Sequence, residues 1–129
     1  MRVLVVDDEP SIRLALRRFF TREGWAVDEA DDGRMAIDTL MPTAGTPPVF
    51  DLIICDLRMP GFSGVELHEA LRASRPDLLS RLVVATGDVV SPDAADFVRR
   101  TSVPVLQKPF ELAQLRALMQ RARSGPGSL

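Results

Sequence analysis

The sequence contains one cysteine, Cys55, and one histidine, His68. A single thiol excludes a disulfide within the chain and a metal site built from several cysteines. A single histidine excludes zinc motifs that need two, so we expect His68 to be an exposed or half-buried helix residue. We expect Cys55 to pack inside a strand. Because disulfides are rare in the reducing cytoplasm, a chain without an internal disulfide fits that compartment, and we expect a cytoplasmic location.

The sequence also lacks an excess of one charge and any long apolar run. Its 16 basic and 18 acidic side chains leave a net charge of -2. We therefore expect no direct contact with nucleic acid and no contact with a membrane. The apolar runs are too short to span a bilayer, and the start, MRVLVVDDEP, does not resemble a signal peptide. No Gly-x-Gly-x-x-Gly loop occurs, which argues against a nucleotide-binding protein.

The sequence does contain a regular alternation of short apolar strands and amphipathic helices. The predicted strands are 3–6, 25–30, 51–55, 82–86 and 103–107. The predicted helices are 10–23, 33–41, 65–74, 92–101 and 111–123. This alternation predicts one α/β domain, in which helices cover both faces of a parallel sheet.

The two longest predicted helices each show an apolar face. In the first helix, the arginines are expected to point away from the core: Arg13, Arg17, Arg18 and Arg22. In the last helix, the expected inner residues are Leu112, Leu115, Met119 and Ala122. Leu118 is counted with the core residues, and the alternative is that it lies outward and contributes to a partner surface.

Polar or charged residues stand at the carboxyl ends of four of the predicted strands. Asp7 and Asp8 follow the first strand, Asp56 the third and Lys108 the fifth, while Thr86 closes the fourth. Because the carboxyl ends of parallel strands meet at one edge of a sheet, we expect these side chains to converge. Two carboxylates about 4 Å apart repel by roughly 4 kcal/mol at an effective dielectric constant of roughly 20. A hard divalent cation offsets this repulsion, so the acids predict a Mg²⁺ site.

Four segments resemble the sequence blocks of the receiver (response-regulator) domain of two-component signalling. They are VLVVDDEPSIR (3–13), DLIICDLRMPGFSG (51–64), VVATGD (83–88) and VLQKPF (105–110). The resemblance covers residues 2–122 and implies a flavodoxin-like (βα)5 three-layer sandwich with parallel strands in the order 2-1-3-4-5. We accordingly expect a receiver domain over residues 1–123 and a flexible tail over residues 124–129.

The resemblance assigns a role to each residue at the strand ends. Asp56 is the expected phosphoacceptor, which takes a phosphoryl group from phosphohistidine and becomes an aspartyl phosphate. Lys108 is expected to pair with one phosphoryl oxygen, and Thr86 to donate its hydroxyl to another. The expected ligands of Mg²⁺, for which Mn²⁺ could substitute, are Asp8, Asp7 through water, Asp56 and the backbone carbonyl of Arg58. The domain would thus catalyse its own phosphorylation and its own slow dephosphorylation.

Further expectations concern the loops around this pocket. Gly87 is expected to leave space for the phosphodonor. The Lys108–Pro109 bond is expected to be cis, as in the family's turn. Arg58 and Asp88 flank the pocket with opposite charges, and we hypothesise that they form a partial lid against water. The alternative, in which they are two exposed loop charges, stays open.

The output side departs from the commonest family pattern. Many receivers carry Tyr or Phe three residues before the lysine, where this sequence has Val105. Whether phosphorylation drives dimerisation is therefore open, and at most a weak homodimer is expected. The implied partner is a histidine kinase or a histidine phosphotransfer protein. Residues 86–110 resemble receivers fused to hybrid sensor histidine kinases more than receivers joined to DNA-binding domains. A stand-alone response regulator is the alternative.

A rival from another class is a small Mg²⁺-dependent phosphohydrolase that also forms an aspartyl phosphate. Such enzymes resemble a pattern with a second aspartate two residues after the nucleophile, as acid–base catalyst. That position is Arg58, which cannot perform this chemistry. A flavin- or nucleotide-binding protein is a third interpretation, which an absorbance spectrum would reveal. The segment HEALRASRP (68–76) resembles the phosphohistidine helix of sensor kinases only superficially.

Overall fold

Strands and helices alternate along the chain as predicted. The computed structural model describes residues 1–59, 61–88 and 90–124. Strands β1 to β5 are Arg2–Val6, Ala26–Ala30, Leu52–Asp56, Leu82–Thr86 and Val105–Gln107. Helices α1 to α5 are Pro10–Arg22, Gly33–Leu40, Gly64–Ser74, Pro92–Thr101 and Leu112–Ser124. A 3₁₀ helix that the sequence did not predict, Pro76–Arg81, precedes β4. The predicted tail over 124–129 lies outside the described residues except for Ser124, which ends α5.

The five strands form one parallel sheet in the order β2-β1-β3-β4-β5, which confirms the expected topology. In the register of the sheet, Val6 of β1 lies beside Cys55 of β3, and Asp56 lies beside Ala85 of β4. Thr86 in turn lies beside Gln107 of β5. The residues that follow these positions therefore leave the sheet at one common edge.

Two apolar clusters, one on each face of the sheet, form the core and make the fold three-layered. On one face, the sheet packs against α2, α3 and α4 through Ala36, Leu40, Leu67, Leu71, Ala94 and Phe97. On the other face, it packs against α1 and α5 through Leu16, Phe20, Leu115 and Met119. Central strands buried on both faces explain the near-continuous apolar sequences of β1, β3 and β4. None of the helices within the described residues combines the length and the apolar character that a membrane span requires.

Helix α5 differs from the predicted inner face at one residue, Leu112. Leu112 is 56% exposed, so its predicted place in the core is wrong. It is the first residue of the helix, and Leu115, one turn later, is the first α5 residue buried in the core. Leu118, for which an outward orientation was the alternative, packs against the same cluster as Leu115.

The start of α3 packs directly on the backbone of β3. A Cβ atom placed on Gly64 would lie 2.8 Å from the carbonyl oxygen of Asp56 and 3.1 Å from Cα of Leu57. Because both neighbours are backbone atoms, neither can move aside as a side chain could. The absence of a side chain at Gly64 therefore helps to set the position of Asp56.

We expect Gly64→Ala to lower the free energy of unfolding by about 1–3 kcal/mol, as overpacking does in protein cores. It should also shift the backbone amide signals of Asp56 and Leu57. Urea unfolding and ¹⁵N NMR measure the two effects. Gly87→Ala is the matched control, since a Cβ there would meet nothing within 4 Å. Equal stability of the two variants would contradict the explanation.

Candidate functional site

Three carboxylates converge at the carboxyl edge of the sheet, as the sequence predicted. Asp7 and Asp8 follow β1, and Asp56 is the last residue of β3. Each offers one carboxylate oxygen, and these three oxygens all lie within 4.8 Å of one another. Asp7 and Asp56 are buried, whereas Asp8 is exposed. The local cause is register, because β1 and β3 are hydrogen-bonded neighbours whose ends coincide.

Lys108, the only lysine of the sequence, joins this cluster from β5. Its Nζ atom donates hydrogen bonds to Oδ2 of Asp7 at 2.7 Å and to Oδ2 of Asp56 at 3.1 Å. The ammonium thus lies between two buried carboxylates and offsets part of their repulsion. The Lys108–Pro109 bond is cis, as expected.

Each buried carboxylate also accepts a hydrogen bond from a backbone N–H two residues later. The amide of Glu9 donates to Oδ1 of Asp7 at 2.9 Å, and the amide of Arg58 donates to Oδ1 of Asp56 at 3.1 Å. Because Lys108 donates to Oδ2 of both residues, each carboxylate oxygen of Asp7 and Asp56 accepts a hydrogen bond. The pocket is therefore organised before any ligand binds.

The electrostatics of the pocket follow from burial and pairing. Burial raises the pKa of the Asp56 carboxyl, and the hydrogen bonds from Arg58 and Lys108 offset this only in part. Burial alone would lower the pKa of Lys108. Its hydrogen bonds to Asp7 and Asp56, and the charges of both, outweigh burial and hold that pKa above its ordinary value. Lys108 is therefore a firmly charged group at neutral pH.

Thr86 and the cavity beside Asp56 complete the site. The Thr86 hydroxyl is buried at the end of β4, and its Oγ1 accepts a hydrogen bond from the amide of Asp88 at 3.2 Å. An open cavity of about 300 Å³ is lined by Glu9, Asp56, Arg58, Thr86, Gly87, Asp88 and Lys108. This volume can admit a phosphoryl group beside Asp56. A Cβ on Gly87 would touch nothing within 4 Å, which is compatible with the expected free space there.

The donor set fits a hard divalent cation. All three clustered groups are carboxylates, and Mg²⁺ binds oxygen ligands, typically with one or two carboxylates in its shell. The ligand assignment as a whole stays a prediction.

The side chains of Arg58 and Asp88 border the cavity, but they make hydrogen bonds to other partners. The Arg58 guanidinium donates from Nη2 to Oδ2 of Asp93, in the first turn of α4, at 3.3 Å. Oδ1 of Asp88 accepts from the amide of Val90 at 3.2 Å. The two residues therefore form no direct pair, and the lid hypothesis has no such contact to support it.

Cys55 and His68, the single cysteine and the single histidine of the sequence, both lie in the core. Cys55 is fully buried, which confirms that it packs, and burial raises the pKa of its thiol. His68 is only 7% exposed, so its predicted exposure is wrong. Its ring packs edge-to-face on Phe97 of α4, with the ring centres 5.4 Å apart, and burial lowers its pKa. Phe97 is distant in sequence, which is why helical periodicity did not reveal this contact.

Arg13 is a residue near the site that the sequence analysis assigned to the surface. Its side chain is only 18% exposed. Nη1 donates to the main-chain oxygen of Asp7 at 2.7 Å, and Nε donates to Oε1 of Glu29, on β2, at 3.2 Å. The sequence contained no signal that distinguished Arg13 from the three later arginines of α1.

The ionisation of Lys108 can be followed directly, because ¹³C-labelled lysine gives one side-chain signal. We expect its pKa to exceed the ordinary value of 10.5 and to fall in Asp56→Asn, which removes one paired carboxylate. Since the folded pKa is raised, the stability from this pairing is fully present below the unfolded pKa and is lost as pH rises through the folded pKa. An NMR pH titration measures both pKa values. Exposed Asp38→Asn should leave the pKa unchanged, and a wild-type pKa at or below 10.5 would contradict the pairing.

Comparisons with known proteins agree on one family. The family model of the response regulator receiver domain matches residues 3–120. Response regulator MprA of Mycolicibacterium vanbaalenii is 36% identical over 132 residues, which cover 99% of this chain and 54% of that protein. The chain therefore spans about half the length of that curated relative.

Two solved structures show the same fold. Response regulator TrrA of Thermotoga maritima, in complex with Mg²⁺ and BeF, is 28% identical and superposes with a TM-score of 0.73 over 94% of this chain and 97% of that one. The receiver domain of a signal transduction histidine kinase from Syntrophus aciditrophicus is 25% identical, with a TM-score of 0.80 over 99% and 93%. The match over residues 3–120 and the sheet order β2-β1-β3-β4-β5 lead to one conclusion: the chain belongs to the response regulator receiver domain family of two-component signalling.

Proposed function

We propose that this receiver domain accepts a phosphoryl group on Asp56 and thereby switches a protein-binding surface. The observation that carries the proposal is the 3.1 Å contact between the Asp56 carboxylate and the only lysine, in a pocket with two further acids. A carboxylate nucleophile that receives an anionic group needs positive charge beside it. Lys108 supplies that charge at the point where Asp56 faces the cavity.

The transfer exchanges one bond of phosphorus for another. A carboxylate oxygen of Asp56 attacks the phosphorus of phosphohistidine, a P–O bond forms, and the P–N bond breaks. The imidazole nitrogen leaves with the bonding electron pair and takes up a proton from water. Lys108 holds one phosphoryl oxygen as a point charge, and the Thr86 hydroxyl donates to another. Slow attack by water on phosphorus then breaks the P–O bond to Asp56 and releases inorganic phosphate.

The proposed ligands of Mg²⁺, or of Mn²⁺ in its place, are the carboxylates of Asp7, Asp8 and Asp56 and the carbonyl of Arg58. Three clustered carboxylates suit such a cation, and the relative TrrA is described in complex with Mg²⁺ and BeF. When bound, the cation supplies positive charge against the phosphoryl oxygens. Asp8, the exposed member of the cluster, is open to an incoming ion.

Incubation with acetyl phosphate and Mg²⁺, followed by intact mass spectrometry, tests the proposal. The expected result is a gain of one phosphoryl group, which chelation of the metal prevents. Borohydride reduction and peptide mapping should locate the group on Asp56. No gain in mass, or a phosphoryl group on another residue, would contradict the proposal. Many rapid turnovers of acetyl phosphate per chain would instead support the rival phosphohydrolase.

We propose a histidine kinase or a histidine phosphotransfer protein as the phosphodonor and a hybrid sensor histidine kinase as the parent protein. The sequence of residues 86–110 and the likeness to a receiver of a histidine kinase support this parent. The 36% identity to response regulator MprA supports the alternative, a separate response regulator. The sequence of the encoding locus decides, because a kinase core in the same reading frame is expected only for a hybrid kinase.

We propose that the domain acts in the cytoplasm on protein partners, without contacting nucleic acid or membrane, and that it self-associates at most weakly. The net charge of -2 is unevenly distributed, since α1 carries four arginines, α5 carries three, and neither helix has an acidic residue. Nucleic-acid binding must therefore be tested at low salt, about 50 mM, where phosphate contacts are strongest. A mobility shift of double-stranded DNA there would contradict this part of the proposal. Sedimentation before and after phosphorylation measures self-association.

A further inference from the structure

Arg13 connects helix α1 to the end of β1 and to β2. The guanidinium uses Nη1 for the main-chain oxygen of Asp7 (2.7 Å) and Nε for the carboxylate of Glu29 (3.2 Å). We propose that Arg13 is a positioning residue for the phosphoryl-transfer site, which acts by holding the backbone between Asp7 and Asp8. The inference rests on the proposed function, because it concerns the same Mg²⁺ site.

The hydrogen bonds of Asp7 show why this contact matters. Its amide donates to the carbonyl of Ala30, its Oδ1 accepts from the amide of Glu9, and its Oδ2 accepts from Lys108. The bond from Arg13 engages the one remaining polar atom of the residue, the main-chain oxygen. Without it, a main-chain acceptor at the rim of the pocket would lose a charged donor, and such hydrogen bonds are roughly twice as strong as neutral ones.

The carbonyl that Arg13 holds belongs to the peptide group that leads to Asp8. A peptide group is planar, so fixing the oxygen of Asp7 also fixes the direction from which the backbone enters Asp8. The Asp8 carboxylate accepts no hydrogen bond from any other part of the described chain, although it lies in the acid cluster. Its approach to a cation therefore depends on the backbone, and Arg13 is the side chain that restrains this backbone.

The shape of the guanidinium makes arginine specific for this task. Nη1 donates to Asp7, the residue that follows β1, and Nε donates to Glu29 on the neighbouring strand β2. A planar fork can reach both at once, whereas a lysine has a single donor atom and cannot reproduce the pair of contacts. The carboxylate of Glu29, on β2, holds the guanidinium of Arg13 in place.

Arg17 offers a matched control on the same helix. Its Nε donates to the other oxygen of Glu29 at 2.5 Å, and its Nη2 donates to the carbonyl of Val27 at 3.3 Å. Both contacts lie on β2, so Arg17 ties α1 to the sheet without touching Asp7. A variant at Arg17 therefore measures the loss of α1–β2 pairing alone.

Calorimetric Mg²⁺ binding to the unphosphorylated chain tests the proposal. We expect Arg13→Gln and Arg13→Lys each to weaken Mg²⁺ binding by about ten-fold, as changes behind metal ligands commonly do. Arg17→Gln should change it by less than about two-fold. In metal-free NMR spectra, the amide signals of Asp8 and Glu9 should shift in both Arg13 variants and stay in place in Arg17→Gln. Urea unfolding identifies any variant that fails to fold. The test is then made with whichever Arg13 variant folds.

Several results would overturn the proposal. Wild-type affinity in Arg13→Lys would show that charge alone suffices, and equal losses in Arg13→Gln and Arg17→Gln would reduce the effect to α1–β2 packing. No Mg²⁺ binding by the wild type would remove the basis of both this inference and the proposed metal site. The proposed function fails separately, if acetyl phosphate adds no phosphoryl group to the wild-type chain.

Discussion

Replacing Asp56 with asparagine is expected to abolish the mass gain with acetyl phosphate while making the folded protein more stable at pH 7. An amide oxygen is too weak a nucleophile to replace the carboxylate, so phosphorylation should be lost entirely. The stability gain follows from the raised pKa of Asp56, which means that burial penalises its charged form in the folded state. Asparagine keeps the shape of the side chain and can still accept a hydrogen bond from Lys108.

The sign of the pH dependence distinguishes this explanation from a general change in stability. The penalty in the wild type is present above the raised folded pKa of Asp56 and vanishes below the unfolded value of 3.8, where the carboxyl is protonated in both states. The advantage of Asp56→Asn should therefore shrink as pH falls through the folded pKa. Urea unfolding across this range measures it, with Asp38→Asn, an exposed acid on α2, as the neutral control. An advantage that grows toward low pH would refute the assignment.

Replacing Lys108 with methionine is expected to destabilise the fold strongly at neutral pH. The change keeps most of the side-chain volume but removes the ammonium from between Asp7 and Asp56, which are 2% and 7% exposed. Removal of one partner from a buried ion pair typically costs about 3–5 kcal/mol, because the remaining charge is left uncompensated. Phosphorylation should also slow, since Lys108 is the proposed partner of a phosphoryl oxygen.

Conditions that neutralise the carboxylates of Asp7 and Asp56 should restore much of the stability that Lys108→Met loses. Lowering the pH protonates them, and millimolar Mg²⁺ binds only the folded pocket, so both should raise the urea midpoint more in Lys108→Met than in the wild type. Lys108→Arg, which keeps the positive charge, is the control and should lose less stability. If Lys108→Met has the same urea midpoint as the wild type, the ion pair contributes little to stability and the electrostatic account of the pocket is wrong.

Local sequence patterns were sufficient to predict the strands and helices of this fold, because each element carries its own signal in the sequence. The apolar run over residues 3–6, which forms most of β1, predicts a strand buried on both faces. Pro10 and Pro92 mark helix starts whatever surrounds them. The acid cluster followed from one further rule, that parallel strands end at a common edge. The predictions that failed, for Leu112 and His68, depended on which neighbours cover a helix, and helical periodicity does not contain that information.

The sequence alone determined the alternation of strands and helices, the meeting of Asp7, Asp56 and Lys108 at one edge, and the family resemblance that the comparisons support. These depend on the order of residues within single elements and on a topology shared by parallel sheets. Only the tertiary structure decided that Arg13 turns inward to the oxygen of Asp7 while Arg17 stays on β2. The reason is physical: both arginines fit the polar side of the same helix, and their partners are set by how α1 lies across two strands that are distant in sequence.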